Sequence, residues 1–118
     1  MAGARDHLGE FEQFVLLAVL RLGERADAVR IQEELERRVG REASVSAIYI
    51  TFTRLESKGM VSSAMGEPTE VRGGKARRLY TIEPAGLAAL HKSRGLLMTM
   101  WQGVEDRIDQ GGELAHGK

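Results

Sequence analysis

The chemistry-bearing residues of this 118-residue chain crowd into one short segment. Arg72, Lys75, Arg77 and Arg78 place four cations within seven residues, with no acid among them, and Gly73 and Gly74 lie in the same run. Guanidinium and ammonium groups pair with phosphates, and glycine removes the Cβ that would hold a backbone away from an approaching surface. The chemistry on offer is non-covalent: gripping a polyanion such as a nucleic-acid backbone. An ordinary solvated loop has the same composition, so context must decide. Other chemistries find little support. The absence of cysteine removes thiolate nucleophiles, disulfides and Cys-based zinc sites together. His7, His91 and His116 are far apart in sequence and lack ligand-spaced partners. Ser44 and Ser46 lack a plausible histidine base, and Gly73-Gly74 does not open a helix as a nucleotide-binding glycine loop would. Neither an enzyme, a metal site nor a cofactor is expected.

Total charge carries no argument, because 17 basic residues balance 17 acidic ones. Its distribution does: the formal charge is −2 over residues 1–40, +4 over 41–94 and −2 over 95–118. At 42% hydrophobic and 29% charged residues, the composition is that of a globular chain with one core, too interrupted by charge for a membrane span. Arg5, Asp6, Glu10 and Glu12 occupy the region where a secretory signal would carry a basic start and an apolar run, so the expected location is cytoplasmic.

The elements that must position the basic run follow from periodicity. Phe11, Phe14, Val15, Leu17, Ala18, Val19 and Leu22 cover more than one stripe of a helix over 10–22, which should be buried on two sides, with Gly23 as its stop. Asp27 can cap a second helix over 28–39, with Val29, Ile31, Leu35 and Val39 inward and Gly40 closing it. Ser44 or Ser46 can cap a third helix running to Lys58, whose inward face is Ile48, Phe52 and Leu55, with Gly59 as the stop. Its other face carries Ser46, Tyr49, Thr53 and Ser57, with Arg54 beside them and Ile50 and Thr51 at the flanks. Residues 60–65 and 77–82 read as two short strands joined by the basic loop over 66–76. After Pro84, Leu87, Leu90, Arg94, Leu97, Trp101, Val104 and Ile108 recur at alternating spacings of three and four, a heptad-like seam interrupted by Gly95 and Gly103.

Three helices, a strand, a basic glycine-bearing loop and a strand make the winged form of the helix-turn-helix: mainly α with a small β-hairpin, plus a C-terminal dimerisation helix. The expected organisation is a winged helix-turn-helix region over 1–83, a dimerisation helix over 84–110 and a frayed tail over 111–118. In such a fold the third helix enters the major groove while the loop reaches phosphates or the adjacent minor groove. Ser46, Tyr49, Thr53 and Arg54 are the candidates for the groove, and Arg72, Gly73, Gly74, Lys75, Arg77 and Arg78 for the flanking contacts.

Several segments resemble one family. They are Leu8-Gly9-Glu10-Phe11-Glu12, Ile48-Tyr49, Arg54 through Val61, Gly66-Glu67-Pro68 through Arg72-Gly73-Gly74-Lys75-Ala76, and Tyr80 through Gly86. Over roughly residues 8–105 the chain resembles PadR-family transcriptional regulators in their short form, with a single C-terminal helix. The resemblance implies a homodimeric protein that binds double-stranded DNA at a pseudo-palindromic operator, with the first and last helices forming the dimer interface. Phe11, Phe14 and Val15 from the first helix, and Leu90, Leu97, Trp101, Val104 and Ile108 from the last, are the candidates for that interface. The chain departs from the family's pattern at Ala26-Asp27-Ala28 and at Ile50, Phe52 and Thr53, so base preferences do not carry over.

Trp101, the sole tryptophan, is either a dimer anchor or, with Met98 nearby, the wall of a site for a small hydrophobic or aromatic effector. The principal reading is a sequence-specific repressor. The alternative is a winged-helix protein-interaction module that binds no DNA, which clustered cations would argue against and an exposed apolar third-helix face around Ile50 would favour.

Overall fold

The computed structural model describes residues 7–67 and 76–116. Its elements in order are α1 (Glu10–Leu22), a short 3-10 turn (Gly23–Arg25), α2 (Ala28–Val39), α3 (Val45–Ser57), β1 (Val61–Met65), β2 (Arg78–Ile82), α4 (Pro84–Trp101) and α5 (Glu105–His116). The first three helices begin and end on local signals. The Asp27 carboxylate accepts the Arg30 N–H at 2.9 Å, the Ser44 hydroxyl accepts the Ala47 N–H at 3.0 Å, and Gly40 closes α2 in the left-handed region at φ 68°.

Helices α1, α2 and α3 pack around Val15, Leu16, Ile31, Ile48, Phe52 and Leu55, all essentially buried. A hairpin closes one side of this core. β1 and β2 pair antiparallel, with Val61 opposite Ile82 and Met65 opposite Arg78. The Tyr80 ring lies flat on Phe52 of α3, centroids 3.5 Å apart and planes within 3°. The Tyr80 N–H donates to the carbonyl of Ala26 at 2.9 Å, so β2 is tied to the entrance of α2 as well. The hairpin is therefore packed directly on the third helix.

One carboxylate joins the two ends of the helical part. Glu12 is buried in the first turn of α1, where it accepts the Gly9 N–H at 3.0 Å and satisfies a donor that the helix itself leaves free. The ammonium of Lys58, just past α3, lies 3.3 Å from Glu12 Oε2 and donates to the carbonyl of His7 at 3.2 Å. The Arg54 Nε lies 3.5 Å from the same Oε2. Burial alone would raise the Glu12 pKa, but the Gly9 N–H and the charge and hydrogen bonds of Lys58 and Arg54 outweigh it and hold the carboxyl below its usual range.

The C-terminal region departs from the expected single helix over 84–110. Helix α4 stops at Trp101, Gln102 turns to an extended conformation at ψ 130°, and Gly103 sits at φ 86°. The Gly103 N–H donates to the Glu105 carboxylate at 2.9 Å, and α5 then runs to His116 through the residues expected to fray. The heptad spacing of Trp101, Val104 and Ile108 is thus divided between two helices. Side-chain periodicity did not register the turn, because a glycine at positive φ relieves the backbone without disturbing the spacing of its neighbours.

Two stability outcomes follow. A Cβ at Gly86 would collide with the carbonyl oxygen of Met60 and lie 2.8 Å from Ile82 Cγ1. Gly86→Ala should therefore lower unfolding free energy by about 1–3 kcal/mol in urea titrations, although alanine is the better helix former. Replacing Glu12 by Gln keeps an acceptor for Gly9 but removes the charge facing Lys58 and Arg54, and should cost about 1–2 kcal/mol at neutral pH. Because the Glu12 pKa is depressed in the folded chain, its contribution is present above the ordinary glutamate range and lost as pH falls through the folded value. Wild type should lose stability on acidification more steeply than E12Q, and parallel curves would show that the carboxylate is not depressed.

Candidate nucleic-acid interface

At 100° per residue, the outward face of α3 is centred on Ser46, Ile50, Thr53 and Ser57, with Tyr49 on one flank and Arg54 on the other. All six are exposed. Thr51, expected at the edge of this face, is instead buried within the core, since the helix turns it to the side of Ile48 and Leu55. Two of the hydroxyls are turned onto the helix's own backbone: Thr53 donates to the Tyr49 carbonyl at 3.0 Å and Ser57 to the Arg54 carbonyl at 2.9 Å.

The hairpin lies on the Tyr49 side. Tyr49, Met65, Ala76, Arg77 and Arg78 line, with Asp27 and its neighbours, a shallow open recess of about 410 Å³ between α2, α3 and the strands. The Arg78 guanidinium donates to the Ser63 hydroxyl at 3.0 Å, across the β1–β2 pair. Arg77 approaches buried Asp27 at 3.8 Å, and Arg30 reaches the same carboxylate at 3.1 Å. Both arginines remain exposed. Burial first, then the proximity of Tyr49 and Glu56, raises the pKa of Tyr80, the ring stacked on Phe52, to about 12, so this phenol stays protonated. Arg72, Gly73, Gly74 and Lys75 lie outside the described residues. The structure thus brings Tyr49 together with Arg77 and Arg78, next to the α3 face of Ser46 and Thr53, with Arg54 on the far flank toward Glu12.

The residues expected at a dimer interface divide. Val15 is 0% exposed within the single chain and belongs to the core, so it has no surface for a partner. Phe11 and Phe14 pack against the core, the former beneath the Arg41 guanidinium at 4.8 Å. Leu90 is also partly buried there, and Val104 is partly buried in the turn between α4 and α5. Leu97, Met98, Trp101 and Ile108 are exposed. Leu17, counted among the apolar residues of the two-sided first helix but not among the interface candidates, and Leu20, which the pattern omitted, are the exposed apolar residues of α1 and line, with Leu87, Leu90 and Leu97 of α4, a groove of about 370 Å³. The two-sided apolar pattern of α1 was their signal: the wider stripe is core, and the remainder is surface. Glu12 and Lys58 were missed too, although a glutamate at the third position of a helix is a recognisable capping residue.

Among the described residues no cluster of acidic and histidine side chains could hold a metal ion, and no helix is long and apolar enough to cross a membrane.

Solved structures share this architecture. A PadR family transcriptional regulator from Eggerthella lenta aligns with a TM-score of 0.60 at 22% identity, over 92% of this chain and 88% of that one. A transcriptional regulator from Thermoplasma acidophilum aligns with a TM-score of 0.61 at 21% identity, over 81% and 90%. The complex structure of hsRosR-S4 aligns with a TM-score of 0.62 at 20% identity, over 98% and 93%. At these identities the likeness is one of fold. No curated protein sequence matches the chain. The model of the PadR-like family of transcriptional regulators, however, matches residues 16–92, well over half the length, and the chain belongs to that family.

Proposed function

We propose that this protein is a homodimeric repressor that binds double-stranded DNA sequence-specifically at a pseudo-palindromic operator. The observation that carries the reading is the uncovered outward face of α3 beside a hairpin with Arg77 and Arg78 where its loop meets β2. A single helix fits the major groove, and cations to one side of it reach the flanking backbone and fix register. Ser46, Tyr49, Thr53 and Arg54 face the groove, while Arg72, Gly73, Gly74, Lys75, Arg77 and Arg78 hold phosphates.

Dimerisation is supported by what the single chain leaves uncovered. Leu17 and Leu20 of α1, Leu87, Leu96, Leu97, Met98, Met100 and Trp101 of α4, and Ile108 and Leu114 of α5 are all exposed. The radius of gyration is 17.1 Å, against about 13.5 Å for a compact domain of this length. Exposed apolar surface on this scale calls for a partner, and a second copy would cover it symmetrically and set two α3 helices about one helical turn of DNA apart. A small hydrophobic or aromatic effector held near Trp101 and Met98 would relieve repression if it favoured a dimer geometry with the wrong half-site spacing.

Three outcomes check this. Sedimentation velocity should give a dimer, and Trp101→Ala should shift it toward monomer. In fluorescence anisotropy over a salt series, a duplex selected by the protein from a randomised library should bind at least about a thousandfold tighter than a scrambled one. Replacing Lys75 and Arg78 together by Gln should weaken binding to both duplexes alike and lower the salt slope by roughly 2, one counterion term for each phosphate released. Failure to enrich any duplex would move the reading to a winged-helix protein-interaction module.

A further inference from the structure

We propose that Ile50 is a specificity-determining residue that reads thymine, its side chain meeting thymine C5 methyl groups in the major groove. The inference rests on the DNA-binding reading and names what α3 recognises. Ile50 makes no use of the core: it is 59% exposed, at the middle of the outward face. A branched apolar side chain gains little in that position from the single chain, and of its neighbours one turn away, Ser46, Ala47, Thr53 and Arg54, only the small, half-buried Ala47 is apolar. Such a lone residue is a poor nucleus for protein docking, which favours a contiguous apolar patch.

The side chains around Ile50 sharpen the case. Bidentate recognition of adenine uses asparagine or glutamine, and of guanine, arginine or lysine. The chain contains no asparagine, and its glutamines, at 13, 32, 102 and 110, all lie outside α3. Arg54 stands on the flank, 3.5 Å from the Glu12 carboxylate, while Thr53 and Ser57 donate their hydroxyl protons to the helix backbone. The centre of the face therefore offers base edges a branched hydrocarbon, the hydroxyls of Thr53 and Ser57 as acceptors, and one further hydroxyl at Ser46. Among the four bases, only thymine presents a methyl group in the major groove.

The test compares the duplex selected by the wild-type protein with the same duplex carrying deoxyuridine in place of every thymidine, which deletes the methyls and keeps the hydrogen-bonding edges. Binding is read by anisotropy at fixed salt. Wild type should bind the uracil duplex about three- to fourfold more weakly for each methyl contacted. Ile50→Ala should bind the thymine duplex more weakly and show no further loss on the uracil duplex, whereas Ile50→Val should keep most of the discrimination. Equal binding of both duplexes by wild type overturns the inference, as does an I50A protein that retains the full uracil penalty. The wild-type comparison needs no variant to fold. If the wild-type protein enriches no duplex at all, the DNA-binding reading falls first and this inference with it.

Discussion

The fold depends on how one buried carboxylate is satisfied. Glu12 lies where α1 begins, and the groups that neutralise it, Lys58 and Arg54, lie where α3 ends. Removing a carboxylate from water is costly unless donors replace the lost hydration, and here a backbone N–H, an ammonium and a guanidinium do so. The arrangement makes the beginning of one helix and the end of another a single electrostatic unit. At its opposite side α3 is held by the Phe52–Tyr80 stack, and β2 is held by the Tyr80 N–H on Ala26. In the proposed DNA-bound dimer, a helix lying in a groove at a set distance from its symmetry mate must be rigid with respect to the helix at the dimer seam. These contacts supply that rigidity from both sides.

Beyond the core the balance reverses. Helix α4 touches the body through Gly86, Ala89 and Leu90 and then leaves it, so that most of its later residues and nearly all of α5 face solvent in the single chain. Gly95, Gly111 and Gly112 lie inside these helices, and each lowers helix stability by about 1 kcal/mol relative to alanine. Helices of this composition are marginal alone, and their order depends on tertiary or quaternary packing. The same economy governs α1, where the wider apolar stripe completes the core and Leu17 and Leu20 are left over. The groove they share with Leu87, Leu90 and Leu97 is apolar along its floor, with Gln13, His91 and Arg94 among its lining residues. In the proposed dimer this surface is one continuous seam with the exposed flank of α4.

Much of this was legible in the residues because the signals are local. Asp27, Gly40 and Ser44 each satisfy or terminate backbone within a turn or so of themselves, so α1, α2 and α3 fall where capping and periodicity put them, although Val29 and Val39, expected inward on α2, are exposed. The strands followed from composition and the flanking glycines. What escaped was whatever depends on a distant partner or on one backbone angle. Glu12 reads as an ordinary acid in a helix's first turn until Lys58 is folded onto it from 46 residues away. Val15 and Leu17 are equally apolar, and only the packing of α2 and α3 decides which becomes core. Gly103 carries the fate of the C-terminal helix in a positive φ that spacing does not encode.

Electrostatics at the α3 face bear on how this molecule could discriminate among sequences. Its cations are not idle: Arg54 shares Glu12 with Lys58, Arg77 shares Asp27 with Arg30, and Arg78 bonds to Ser63. An arginine already held by a carboxylate gives up part of that interaction on reaching a phosphate, so the net gain is smaller than for a free cation. The chain's balanced total charge points the same way, because long-range attraction to DNA comes only from the local excess over residues 41–94. Weak unspecific attraction is an advantage to a regulator that must leave the many wrong sites of a genome. On the proposed reading it also shifts the burden of recognition onto uncharged groups, and on α3 those would be the phenol of Tyr49, the hydroxyls of Ser46 and Thr53, and the hydrocarbon of Ile50.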